Sequence, residues 1–178
     1  MVKKKIHIIG GPGSGKSYVA KALSEKLNIS CYDLDDIYWL NDKKTYDVEA
    51  DPKIRNKRLF KIIKKKEWIL EGVYLNWTKP SFEESELIII LQPNKSIRSW
   101  RITRRFIKRK LGIEESKKKE TWKSFLKLFK WNWNYDKKNL PRVYTELEPY
   151  KYKIIKITKS RVTSDEILKL ADSERFIS

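Results

Sequence analysis

Cysteine is almost absent from this chain, and its scarcity closes off several chemistries. The single cysteine, Cys31, cannot form an internal disulfide and has no neighbouring Cys/His set with which to hold a metal. Histidine is as scarce. His7 is the only one, and it alternates with Ile6 and Ile8, which reads as a packed or edge strand residue rather than a catalyst. No apolar run is long enough to span a bilayer, and the one near the N-terminus is too short for a signal peptide. No internal repeat and no Gly/Ser linker divides the 178 residues, a length that suits one domain, 1–178. Acidic residues are the last shortage: 23 Asp and Glu stand against 41 Lys and Arg, a net charge of +18. Such a surplus favours nucleotides, nucleic acid or anionic lipid without choosing among them. Seven tryptophans and nine tyrosines argue against disorder. The expectation is a cytoplasmic domain with no membrane partner.

Short apolar runs alternate with helical patterns. "KIHIIG" (5–10) predicts a strand, and Ser17 to Leu27 a helix with Val19, Ala20, Leu23 and Leu27 on one face. "ISCYDL" (29–34), "EWILEG" (67–72), "ELIIILQP" (86–93) and "YKIIKIT" (152–158) predict four more strands. Asp51-Pro52 supplies an N-cap and a first-turn proline for a helix to about Lys66. Helical patterns also fill roughly 94–111 and 119–147, and Thr163 with Glu166 has capping-box spacing for a last helix. Strands separated by helices imply parallel pairing with right-handed crossovers. The fold class is α/β.

The strongest signal is "GGPGSGKS", which fits G-x-x-x-x-G-K-[ST] between a predicted strand and a predicted helix. Gly10, Gly11, Pro12, Gly13, Ser14 and Gly15 would turn backbone N–H groups around phosphates at a helix N-terminus. Lys16 would reach the β- and γ-phosphates of a nucleoside triphosphate, and the Ser17 hydroxyl would ligate Mg²⁺. A P-loop alone is compatible with a GTPase switch, a motor, an ATPase or a kinase. No N/T-K-x-D base-reading sequence follows a late strand, and no strand ends in the usual Walker B aspartate ahead of a motor domain. A small kinase is the economical reading.

Asp33, Asp35 and Asp36 follow the second predicted strand, where ligands of a doubly wound sheet bind. On an extended stretch Asp33 and Asp35 would point the same way, one serving Mg²⁺ or its waters and the other taking a proton from a hydroxyl. Asp35 or Asp36 could instead cap a helix beginning near Ile37. Glu71 ends the third strand at the same edge and could orient metal-bound water, while Gly72 would let a substrate approach the backbone.

"IIGGPGSGKS", "YDLDDIYW", "WILEGVY" and "RSWRITRRF", in this order, resemble the adenylate-kinase-like P-loop kinases over about residues 3 to 160. They resemble most the bacterial DNA topology modulation proteins of FlaR type. Asp33-Leu34-Asp35 looks like the D-x-D of shikimate kinases, which implies Asp33 for the metal and Asp35 for the substrate hydroxyl. "ILEGVY" resembles an adenylate-kinase stretch in which Glu71 replaces an aspartate. Arg101 and Arg105 match the arginines that open the lid of adenylate kinases. The resemblance implies a three-layer sandwich with a five-stranded parallel sheet in the order 2-3-1-4-5. It also implies a substrate-side helical region at 37–66, with Arg55 and Arg58, and a basic lid at 98–140. The residues with which adenylate kinases grip AMP are not recognisable between Leu40 and Lys66.

"RSWRITRRFIKRK" (98–110) packs seven basic residues into thirteen. On a helical wheel Arg98, Arg101, Arg105, Lys108 and Arg109 fall within roughly 100°, while Ile97, Trp100, Ile107 and Leu111 form another face, which predicts an anchored apolar side. Between Lys95 and Lys138 sixteen Lys/Arg face four Asp/Glu, which is +12 of the total +18. Arginines there could clamp a transferring phosphoryl group or meet nucleic acid. "WKSFLKLFKWNWNY" (122–135) could stack bases, but its spacing predicts Trp122, Phe125, Phe129 and Trp133 as a core stripe. The reading is an ATP- and Mg²⁺-dependent phosphotransferase with a small-molecule or nucleotide acceptor. Lys16, Asp35, Arg101 and Arg105 are its catalytic candidates. The alternative is an ATP-switched nucleic-acid-binding regulator.

Overall fold

Five apolar runs become five strands in the computed structural model, which describes residues 3–40, 48–114 and 121–173. Residues 41–47 of the expected substrate-side region and 115–120 of the expected lid, with the expected helix start at 119, lie outside them. The elements in order are β1 (Lys5–Gly10), α1 (Lys16–Leu27), β2 (Cys31–Asp33), α2 (Leu34–Tyr38), α3 (Pro52–Ile63), β3 (Trp68–Gly72) and α4 (Lys79–Glu84). There follow β4 (Leu87–Leu91), α5 (Lys95–Lys110), α6 (Trp122–Lys138), α7 (Leu140–Leu147), a 3₁₀ turn (Glu148–Lys153), β5 (Ile154–Ile157) and α8 (Ser164–Ser173).

The strands form one parallel sheet in the order β2-β3-β1-β4-β5. Alternation along β1 sends Ile6 and Ile8 into a core with Val19, Ala20 and Leu23 of α1 and Ile167 of α8. Ile9 faces the opposite layer with Phe82 of α4 and Val143 and Leu147 of α7. A third cluster joins Leu34 and Ile37 of α2 to Leu59 and Ile63 of α3 over Trp68 and Leu70. The three layers and the strand order match the expected P-loop α/β architecture. No helix among the described residues is long and apolar enough to cross a membrane.

Local chemistry sets the element ends. Asp51 caps α3 by accepting from Lys53 and Ile54 N–H, with Pro52 at the first position. Thr163 and Glu166 form the reciprocal capping box ahead of α8: the Thr163 N–H donates to Glu166 Oε2 at 2.8 Å, and the Glu166 N–H donates to Thr163 Oγ1 at 3.2 Å. His7 is fully buried, with Nδ1 3.0 Å from Ser81 Oγ and its ring against Phe82. Burial pushes its pKa down to about 3, so it stays neutral as a packed residue.

Three expectations on the basic segment are corrected. The buried face of α5 is Arg98, Ile102 and Phe106, whereas Trp100, Ile107 and Leu111 of the expected apolar anchor are exposed. Arg98 is tolerated inside because Asn132 Oδ1, the Pro93 carbonyl and Asp136 Oδ1 all accept from its guanidinium, at 2.8, 2.9 and 2.8 Å. The expected helix over 119–147 divides into α6 and α7 at Asn139, ahead of Pro141. Within α6 the buried residues are Asn132 and Tyr135, while Trp122 and Trp133 stand outside and Phe125 and Phe129 are half-buried.

Candidate active site

β1 delivers the chain to a loop whose shape its glycines permit. Gly13 has φ 70°, and a Cβ there would sit 2.6 Å from the Arg98 carbonyl, so α5 lies directly against the loop. The Ser14 N–H donates to the Gly11 carbonyl at 3.2 Å, and Gly15 leads into α1. Tyr135 of α6 packs on Gly11. Gly13, Gly15, Lys16, Ser17, Arg101, Ile102 and Arg105 line a pocket of about 200 Å³ at the N-terminus of α1. Gly13, Gly15, Lys16 and Ser17 of the expected motif therefore meet both expected arginines at one cavity, whereas Gly10, Gly11, Pro12 and Ser14 are not among its lining residues.

Arg101 is already seated. Its guanidinium donates to the carbonyls of Ser14 at 3.0 Å and Gly13 at 3.3 Å, and to that of Ser160 beyond β5. Bonding the loop's carbonyls to Arg101 fixes the orientation of its peptide groups before any nucleotide binds. Arg105 lines the front of the pocket and lies close enough to Lys16 to push that ammonium's pKa down. The principal cause of the lowered Lys16 pKa is burial, opposed by Glu71, then Asp35 and Asp33. Lys16 Nζ donates to the Gly11 carbonyl at 3.2 Å.

Parallel pairing sets Asp33 of β2 beside Glu71 of β3. The Ser17 hydroxyl donates to Glu71 Oε1 at 2.5 Å. The expected metal set, Ser17, Asp33 and Glu71, is thus assembled at the sheet's carboxyl edge. Burial, and then the Glu71 charge, push Asp33 up to about 7. Carboxylates held this close beside the P-loop lysine suit a cation held together with phosphates and waters, as Mg²⁺ is. Among the described residues no three His, Cys, Asp or Glu side chains converge to hold an ion by themselves.

The expected extended D-x-D is corrected. β2 ends at Asp33, whose carboxylate caps α2 by accepting from the Asp35 N–H at 2.8 Å. Asp33 is therefore the cap, and Asp35 stands in the first helical turn. Asx capping competes with the strand and ends it after three residues. Gly72 is corrected too: the Leu34 side chain fills the space where its Cβ would project, at 2.7 Å, so this glycine admits α2 rather than substrate. Tyr74 Oη donates to Asp35 Oδ1 at 2.7 Å, and Tyr74 stacks on Tyr38 with ring centres 4.6 Å apart. The Arg55 guanidinium lies over Trp77 at 4.8 Å and Tyr38 at 5.4 Å. Arg55 Nε and Arg58 Nη1 are buried without a hydrogen-bond partner among the described residues.

The sequence profile of the AAA-domain family matches residues 6–123, more than half of the chain. The chain belongs to that family. A curated relative, the uncharacterised protein YqaC of Bacillus subtilis (strain 168), is 36% identical over 109 residues. That stretch spans 61% of this chain and only 60% of the relative's length. The fold is similar to a gluconokinase from Sinorhizobium meliloti 1021, with TM-score 0.54 and 16% identity over 98% of this chain and 97% of that one. A shikimate kinase from Acinetobacter baumannii in complex with shikimate gives TM-score 0.56 and 16% identity, covering 97% and 95% of the two chains.

Several residues of this AAA-domain site carried no signal in the sequence. Tyr74, Tyr38 and Trp77 matter through contacts that only the fold creates. A second cleft of about 420 Å³, lined by Trp100, Arg101, Ser160 and Arg161 among others, adjoins the P-loop pocket through Arg101. The loop after β5 had suggested nothing.

Asp33 yields a stability prediction. Between its unfolded value near 3.8 and its folded value of about 7, the folded state keeps a proton that the unfolded state releases. Its contribution to stability therefore falls as pH rises through that window. Asp33→Asn keeps the cap and removes the buried charge. It is expected to be more stable than the parent at pH 8 by roughly 1–3 kcal/mol, with the difference vanishing below about pH 4. Thermal melts across pH check this; a less stable variant at pH 8 refutes the cost assigned to the buried Asp33 charge.

Proposed function

We propose that the protein is a phosphotransferase of the small-molecule kinase type, using ATP with Mg²⁺ and a small-molecule or nucleotide acceptor. The observation that carries this reading is the convergence at one edge of a P-loop, the Glu71–Asp33 pair and a further carboxylate, Asp35, held by Tyr74. In this reading 37–66 is the acceptor side and 98–140 the lid over a single domain. Ser17, Glu71 and Asp33 would hold Mg²⁺ or its waters. That ion, when bound, supplies positive charge to the phosphate oxygens.

Lys16 and Arg105 face the transferring group and oppose its charge. Asp35 takes the proton of the acceptor hydroxyl as that oxygen bonds to the γ-phosphorus and the bond to the β–γ bridging oxygen breaks. Tyr74 holds one Asp35 oxygen in place and leaves the other for the acceptor. Arg55, clamped by two rings, and Arg58 suit an anionic group on the acceptor. The cleft between Trp100, Arg101 and Arg161 offers flat surfaces for a nucleobase. The likeness to FlaR-type proteins adds no acceptor, because that family name describes a phenotype.

ADP release is the test. Release that begins only when one metabolite from a panel of nucleosides, nucleotides and polyol acids is added supports the kinase reading. Equal release without any acceptor overturns it in favour of a plain ATPase. Lys16→Ala is expected to fold and to weaken ATP binding roughly 10- to 100-fold by calorimetry, since it deletes a charged phosphate partner. Unchanged affinity in the folded variant refutes the P-loop assignment.

A further inference from the structure

The α5–α6 arm carries an apolar surface that folding leaves uncovered. On α6, Trp122, Leu126 and Trp133 are 64%, 62% and 56% exposed. At 100° per residue these three lie within about 40° of one another, a ridge along the outer side of the helix. The exposed Lys130 and Lys137 flank one edge of the ridge, with Lys123 and Lys127 beyond them. At the turn after α5, Leu111 and Ile113 are exposed to 68% and 67%. The core of this arm is made by other residues: Arg98, Ile102 and Phe106 from α5, Asn132 and Tyr135 from α6. Trp122 rests edge-on against Phe106, with ring centres 4.7 Å apart, and still leaves most of its surface outside. Leu126 and Trp133 join no core cluster among the described residues. Cations attend the ridge. Lys95 Nζ lies 3.8 Å from the centre of the Trp133 ring, and segment 95–138 holds most of the protein's net positive charge.

We propose that the outer face of α6, with the apolar turn after α5, is a peripheral docking surface for an anionic lipid bilayer. A helix with Trp and Leu on one side and lysines beside them lies in the plane of a membrane interface, its rings among the acyl chains and its ammonium groups at the phosphates. The aliphatic members decide against nucleic acid. Leu126, Leu111 and Ile113 gain from acyl chains, whereas base stacking uses only flat rings. A second copy would press one strongly positive arm on another. The Arg98–Asn132–Asp136 bonds and the contact of Tyr135 with Gly11 tie α6 to the P-loop, so docking would hold the nucleotide pocket beside the bilayer.

The test is flotation of the full chain with vesicles of phosphatidylcholine alone and of phosphatidylcholine with phosphatidylglycerol, at low and high salt. Expected are flotation with the anionic vesicles only, a blue shift of tryptophan emission and weakening by salt. Trp122→Ser with Trp133→Ser should lower partitioning at least about tenfold while ATP affinity is unchanged. Should that variant fail to fold, Lys123→Glu with Lys127→Glu, at exposed positions, should lose anionic selectivity instead. Absence of flotation overturns the proposal, as does flotation that both variants retain. Single-stranded oligonucleotide binding lost in the tryptophan variant, without vesicle binding, assigns the face to nucleic acid. Dimerisation lost in that variant, without vesicle binding, assigns it to a second copy.

Discussion

Asp35→Asn is expected to bind ATP as the parent does and to transfer phosphate about 10²- to 10⁴-fold more slowly once a true acceptor is in hand. Asp35 sits in the first turn of α2, where its Oδ1 accepts from Tyr74 Oη at 2.7 Å. An amide can keep a carbonyl oxygen toward Tyr74, so the side chain stays where it was. The position offered to the acceptor then becomes an NH₂ group, which cannot take a proton. The geometry survives and the basicity does not. Asp35 also helps to hold the charge on Lys16, but after Glu71, so nucleotide affinity serves as the control. Tyr74→Phe gives the contrast, because it keeps the carboxylate and removes its anchor. Its loss should be smaller, with a poorer acceptor KM as well as a lower kcat. Normal turnover by Asp35→Asn would reduce Asp35 to a first-turn helix residue, and the kinase assignment would lose its base.

The P-loop was legible because its physics is local: glycines at fixed spacing, then a lysine and a serine opening a helix. Strand existence was legible for the same reason, since runs such as "ELIIILQP" have no competing pattern. The sheet order, which the structure bears out, came from the motif resemblance. What failed to show was decided by partners distant in sequence. Arg98 belongs to a basic arc on any wheel, yet it is buried because Asn132 and Asp136, 34 and 38 residues on, supply its acceptors. Trp122 and Trp133 have core spacing, but the neighbours of α6 select Asn132 and Tyr135 instead. The D-x-D misled for a different reason. Asp33 has two ways to satisfy the backbone, and capping α2 ends the strand beneath it. Tyr74 stood in "WILEGVY" without a role and Trp77 gave no sign at all, because a lone aromatic acquires meaning only when a carboxylate or a guanidinium is folded against it.

Arg105 and Arg101 should separate in kinetics although both line the same pocket. Arg101 donates to Ser14, Gly13 and Ser160 carbonyls, so its guanidinium shapes the loop before any nucleotide arrives. Removing it should loosen the loop's amides and disturb the cleft it shares with Trp100 and Arg161. Arg101→Ala is therefore expected to weaken ATP binding and turnover together. Arg105 lines the same pocket as Lys16, and its charge opposes the Lys16 ammonium, though less than burial does. Charge that spreads over the phosphoryl oxygens in transfer is what relieves that repulsion most. Arg105→Ala is thus expected to leave ATP affinity within a few-fold and to lower kcat by about 10³-fold or more, the scale set by arginines that stabilise phosphoryl transfer. Calorimetry on ATP alone and single-turnover rates with acceptor separate the two effects. If Arg105→Ala weakens ATP binding as much as it slows turnover, Arg105 is a ground-state phosphate ligand. Transition-state charge would then rest on Lys16 alone.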